Sequence, residues 1–111
     1  MQTAGDASRV DVAVVIGVFD ARDGCGGPLG AALAKYVVLT RRRAACRNVD
    51  LVASVVRPGR FVVIEKWSSP GEQRAHLDHA ETVELASAVR DLLARPPELD
   101  LFESISAHDL V

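Results

Sequence analysis

Two short stretches carry residues whose types and spacing could do chemistry. The first is Phe61-Val62-Val63-Ile64-Glu65-Lys66-Trp67, and the second is Glu72-Gln73-Arg74-Ala75-His76-Leu77. Trp67, the only tryptophan, falls at the end of an apolar run just before a turn. A large ring there can wall a pocket while its N–H finds a partner. His76 follows on a helical stretch, and a neutral imidazole with an ordinary pKa of about 6.5 can accept a proton at working pH. Tyr36 lies on an earlier helical stripe that could face the same space. Together they would line an apolar cavity with few polar groups, suited to a flat aromatic ligand. The plainer alternative makes Trp67 a core plug, His76 a residue bonded to backbone or water, and Tyr36 ordinary packing. Glu65 shares Trp67's parity and is either a pocket acid or a strand residue paired with an arginine such as Arg60; the structural role is favoured.

The elements that must position these groups follow from periodicity. Val10, Val12, Val14, Ile16 and Val18 alternate as a strand with a committed core face. Asp20 to Gly27 forms a glycine-rich loop, and Pro28 suits a first helical turn. A helix then carries Leu29, Ala32, Leu33, Tyr36, Val37 and Thr40 on one stripe and ends in Arg41 to Arg43, read as a solvated end. Val49, Leu51, Ala53 and Val55 alternate next, and Arg57-Pro58-Gly59-Arg60 turns the chain into a hairpin whose second arm is Phe61 to Trp67. Ser69-Pro70-Gly71-Glu72 has the form of a capping box. It opens a helix that is expected to break near His79 and resume over Glu81 to Leu93, before Pro96-Pro97. Leu99, Leu101, Ile105 and Ala107 alternate through a last strand.

The order βαββαβ is that of a ferredoxin-like split βαβ: an α+β domain with a four-stranded antiparallel sheet and its helices on one face. One domain over residues 10–107 is expected, with tails at 1–9 and 108–111. Ala13, Val15, Phe19, Val52, Val56, Phe102 and one apolar row of the third strand are expected to face away from the helices. No segment remains to cover them, so a second copy of the chain is the expected partner.

Composition removes other classes. At 111 residues, 49% apolar, 25% charged and a net charge of -2, the chain gives no electrostatic reason to expect nucleic acid. No apolar run approaches the roughly 20 residues of a membrane span, and Met1 to Arg9 lacks a signal-peptide core, so a cytoplasmic location is expected. Cys25 and Cys46 are read as reduced thiols. The glycines at 24, 26, 27 and 30 match neither phosphate-binding fingerprint. His76, His79 and His108 do not look like a compact ligand set, since a third donor would have to come from the tail or from Glu72, and no metal is expected.

The sequence from Phe61 to about Leu85 resembles the antibiotic biosynthesis monooxygenase family. In that family the third strand ends in a glutamate, one residue, then tryptophan, with a histidine-leucine pair on the following helix; here these are Glu65, Trp67, His76 and Leu77. The resemblance implies a dimeric α+β barrel that oxidises a phenol, quinol or polyketide ring with molecular oxygen and without cofactor. His76 and Trp67 would then be catalytic, and Tyr36, Glu65, Trp67 and Leu77 would contact substrate. A non-catalytic ligand-binding or interaction domain on the same scaffold is the alternative. The family's haem-degrading members carry a helical tryptophan where this chain has His76 and an asparagine early in the first strand, which is absent here; haem degradation is disfavoured.

Overall fold

A computed structural model describes residues 12–107; the expected tails, the start of the first strand at Val10, and His108 lie outside these residues. Strand β1 spans Ala13–Asp20, helix α1 Gly26–Thr40, β2 Cys46–Ala53, β3 Arg60–Trp67, α2 Pro70–His76, α3 Ala80–Val89 and β4 Glu98–Glu103. The sheet is fully antiparallel in the order β2-β3-β1-β4. This is the ferredoxin-like α+β arrangement, with the two longest-paired strands, β1 and β3, in the middle. Among the described residues no helix is long and apolar enough to cross a membrane.

Helix α1 buries Leu29, Leu33, Tyr36, Val37 and Thr40, spaced so that one stripe faces the sheet. It starts at Gly26, two residues before Pro28, because proline is tolerated anywhere in the first turn, where the amide has no helical partner. Ser69 caps α2 by accepting from the Glu72 amide at 3.1 Å. The expected break falls at His79, which precedes α3 with extended backbone. The turn before β3 needs Gly59, whose φ of +85° suits glycine. Its carbonyl accepts the Ala21 amide at 2.9 Å. Arg60 and Arg95 both bond Asp20, tying the β3 start and the segment after α3 to the end of β1.

Four expectations are corrected. In β1 the faces are reversed: Phe19 belongs to the core under the helices with Val49 and Val63, and Val15 shares its parity. Val14, Ile16 and Val18 point to the open face opposite Lys66, Ile64 and Val62. Both rows of β1 are apolar, so alternation could not choose between them; the helices cover the row with the large Phe19 ring. Val55 and Val56 lie in the β2–β3 connection, 98% and 82% exposed, rather than in a strand. The last strand stops at Glu103, leaving Ile105 exposed, and α3 stops at Val89 rather than Leu93.

Gly17 shows how tightly β1 meets its neighbours on the inner face. A Cβ there would lie 2.9 Å from Leu99 Cδ2 and 3.0 Å from the Phe19 ring. Gly17→Val should therefore cost about 1–3 kcal/mol of stability. A denaturant midpoint equal to wild type would show that the two side chains move aside freely.

Candidate active site

Glu65 and Trp67 are two apart in β3 and so project from the same face of the sheet. Tyr36 and Thr40, four apart on α1, reach down to the same place. His76 ends α2, and Thr82 opens α3. The tertiary fold gathers these six residues, from four elements, into one buried network. Trp67 Nε1 donates to Glu65 Oε1 at 2.8 Å, and the Tyr36 hydroxyl donates to Glu65 Oε2 at 2.5 Å. His76 Nε2 lies 2.9 Å from the Tyr36 hydroxyl, 3.2 Å from Thr82 Oγ1 and 3.5 Å from Thr40 Oγ1. Its ring packs on Trp67 with centroids 4.3 Å apart.

With Glu65 ionised, the hydrogen-bond partners set the histidine tautomer. The Tyr36 proton goes to Glu65, and the Thr82 proton goes to the His76 carbonyl at 2.7 Å. Both oxygens can therefore only accept from Nε2, so Nε2 carries the hydrogen and Nδ1 carries the lone pair. That Nδ1 faces His79 Nδ1 at 2.8 Å, with Glu81 Oε2 3.7 Å away. Arg43 grips both Glu81 oxygens, at 2.7 and 2.8 Å.

Burial dominates the electrostatics. It raises the Glu65 carboxyl above its ordinary value, against the opposing pull of the Tyr36 and Trp67 hydrogen bonds. Burial and the neighbouring Glu65 charge push the Tyr36 phenol well above its usual range. Burial drives His76 down to about 4, so its ring is neutral at ordinary pH; Glu81 opposes that shift, and His79 and Arg43 add to it. The Arg43 guanidinium holds Glu81 at about 2.

Tyr36, Glu65 and His76 form the polar end of a cavity between the sheet and α3, walled by Val15, Phe19, Val63, Leu85 and Val89. Leu77 and Leu99 also line it and are 53% and 64% exposed, which puts them at its mouth. The volume is about 160 Å³. An apolar cavity of about 150 Å³ holds benzene, so this one accommodates a single aromatic ring, with larger ligands projecting past the mouth.

Of the residues singled out from sequence, Tyr36, Glu65, His76 and Leu77 meet at this cavity. Trp67 does not line it; fully buried, it lies behind His76 and Glu65 and supports them. Glu65 pairs with Tyr36 and Trp67, and Arg60 is taken by Asp20. Thr40, Thr82 and the Arg43–Glu81 pair went unnoticed, because residues 38 apart carry no local pattern linking them. The ligand-set reading also changes: His76, His79 and Glu81 each bring one donor atom to within 4.8 Å of the others. Glu81, five residues after His76, supplies the third donor expected from Glu72 or the tail.

The Glu65 shift has a measurable sign. Its folded pKa lies above the unfolded value of about 4.5, so the folded state holds the proton longer and stability falls as pH rises from about 4.5 through the folded pKa. His76 acts oppositely, losing its contribution as pH falls from about 6.5 towards 4. Thermal melts of wild type and Glu65→Gln across pH 4–8 isolate the first effect: wild type should lose ground to the variant as pH rises. A difference independent of pH would mean that Glu65 titrates as an ordinary carboxyl.

The solved structures similar to this chain share its fold. Rv0793 of Mycobacterium tuberculosis superposes with a TM-score of 0.82 at 24% identity, covering 88% of this chain and 99% of its own. PA3566 of Pseudomonas aeruginosa gives 0.81 at 19%, covering 88% and 98%. A Nitrosomonas europaea protein named for antibiotic biosynthesis monooxygenase gives 0.82 at 18%, covering 88% and 94%. No curated protein matches significantly. The family model described as antibiotic biosynthesis monooxygenase matches residues 12–90, which spans every residue of the buried network, and the chain belongs to that family.

Proposed function

We propose that this protein oxidises a one-ring or fused-ring phenol or quinol with molecular oxygen, using the substrate's own electrons and no flavin or metal. One observation carries the reading: a buried carboxyl of raised basicity, Glu65, stands at the polar end of an apolar cavity the size of an aromatic ring. The ring lies among the apolar walls and Leu77, with its hydroxyl towards Glu65. Each Glu65 oxygen already accepts one hydrogen bond and keeps a lone pair for the substrate proton. Burial brings its pKa closer to that of a phenol, which favours the transfer.

The resulting anion gives one electron to oxygen. Radical and superoxide then combine as a carbon–oxygen bond, and the hydroperoxide loses water to leave a quinone. One oxygen atom enters the ring and the other departs as water. The dry walls shield the charged and radical stages. In this reading His76, expected from sequence to be the proton acceptor, acts instead as a positioning residue. Its Nε2–H holds the Tyr36 oxygen, and Tyr36 and Trp67 hold Glu65. Family membership supports the reaction class.

Oxygen uptake with a dihydroxynaphthalene tests this. Glu65→Gln should lower turnover by about 10²–10⁴-fold, the usual loss for a general base, while binding changes little. A wild-type protein that turns over quinols and whose Glu65→Gln variant is equally active sinks the assignment. Saturable quinol binding with no oxygen uptake by wild type establishes instead a ligand-binding domain.

The open face of the sheet belongs to the same proposal. Ile16, Val18, Val62, Ile64 and Val52 form a continuous apolar patch across β1, β3 and β2. A second copy of the chain, sheet against sheet, would bury it and give the family's dimeric barrel. Light scattering should return twice the 11.9 kDa chain mass. Ile64→Glu should give monomer or aggregate, since an unpaired charge in an apolar interface costs several kcal/mol. A stable wild-type monomer at micromolar concentration would remove the dimer.

A further inference from the structure

The far side of His76 faces away from Tyr36 and Glu65 and meets two more donor groups. We propose that His76 Nδ1, His79 Nδ1 and Glu81 Oε2 form a binding site for one divalent transition-metal ion, distinct from the aromatic cavity. The proposal goes beyond the oxidation reading and does not depend on it.

Three observations carry it. The donor atoms converge within 4.8 Å, from residues set by the short turn between two helices. His76 Nδ1 is a lone pair by hydrogen-bond accounting, since its Nε2–H is committed to the Tyr36 and Thr82 oxygens. An imidazole whose other nitrogen donates to a fixed oxygen is the usual arrangement of a metal ligand and its outer shell. Finally, Glu81 is buried as a carboxylate, and Arg43 uses only one lone pair on each of its oxygens. Oε2 lies 3.7 Å from His76 Nδ1 and 4.0 Å from His79 Nδ1.

The donor set names the class of ion. Two imidazoles and one carboxylate suit zinc, cobalt, nickel or copper and are a poor match for magnesium or calcium, which take oxygen. Ligands at about 2.0–2.1 Å in tetrahedral array require roughly 3.3 Å between nitrogens. The two Nδ1 atoms are 2.8 Å apart, close enough to share one hydrogen. Binding an ion requires the two nitrogens to part by about half an ångström and Glu81 Oε2 to close in from 3.7 and 4.0 Å; the His79 side chain, 29% exposed, has room to move and leaves the outer positions open to water. Metal and shared hydrogen are thus alternatives at the same lone pairs. A bound ion would hold His76 in the tautomer that supports Tyr36.

Titrating the chelator-treated 111-residue chain with zinc or cobalt(II) alone, followed by calorimetry and by imidazole nitrogen NMR, tests the site. The expected result is one ion per chain, with the Nδ1 resonances of His76 and His79 moving most. His79→Ala, at a partly exposed position where folding should survive, and Glu81→Gln should each weaken binding at least tenfold. Circular dichroism verifies that each variant is folded, and if Glu81→Gln is not, His79→Ala decides alone. No saturable binding, or binding undiminished in folded His79→Ala, overturns the proposal.

Discussion

Glu65 is the constraint around which the rest of the molecule is arranged. A carboxyl with a relative exposure of 7% at the base of an apolar cavity would cost several kcal/mol if left without partners. Trp67 and Tyr36 supply a donor to each oxygen. Those two donors dictate much else. Trp67 must lie two residues on in the same strand, so β3 has to run regular to its end. Tyr36 must approach from α1, so the helix has to cross β3 in one register, fixed by Leu29, Leu33 and Val37 against the sheet. The network is tied into the core packing on both sides, and neither can shift without orphaning the acid.

The division of the second helix serves the same arrangement. A continuous helix from Pro70 to Val89 would carry His76 and Thr82 on a single rod, six residues and more than a turn and a half apart. Breaking it after His76 lets α3 turn back, so that Thr82 reaches both the His76 ring and its carbonyl. Ser69 sets where α2 starts, and hence which residue is left at its end.

Much of this was legible in the sequence, and what escaped it did so for physical reasons. Local rules found the elements: the Ser69 cap, the break near His79, the α1 stripe and the Pro58-Gly59 turn each depend on neighbours within a few residues. They also found the four side chains that meet at the cavity. The face of β1 was misread because both rows are apolar and period-2 alternation carries no sign. Roles within the site were harder still. Glu65 reads from sequence as either a pocket acid or, in the favoured alternative, a strand residue paired with an arginine such as Arg60, but which arginine reaches which acid depends on strand register, and Arg60 is opposite Asp20. Trp67 was expected to wall the pocket, yet its parity shows only which face it is on and not what lies over it. Glu81 was missed because its value as a neighbour of His76 appears only once the helix has turned.

The tautomer of His76 joins the two halves of the site. A neutral imidazole has one donor and one acceptor, so whatever fixes one nitrogen fixes the other. On the cavity side, Glu65 takes the Tyr36 proton and thereby makes Nε2 a donor; on the far side, Nδ1 is left as a lone pair facing His79 and Glu81. Replacing Tyr36 with phenylalanine would remove one acceptor of Nε2–H, leaving Thr82 as the main partner. It would also leave Glu65 with the Trp67 bond alone. The far nitrogen is thus linked to the cavity carboxyl through two hydrogen bonds, Tyr36 to Glu65 and His76 to Tyr36.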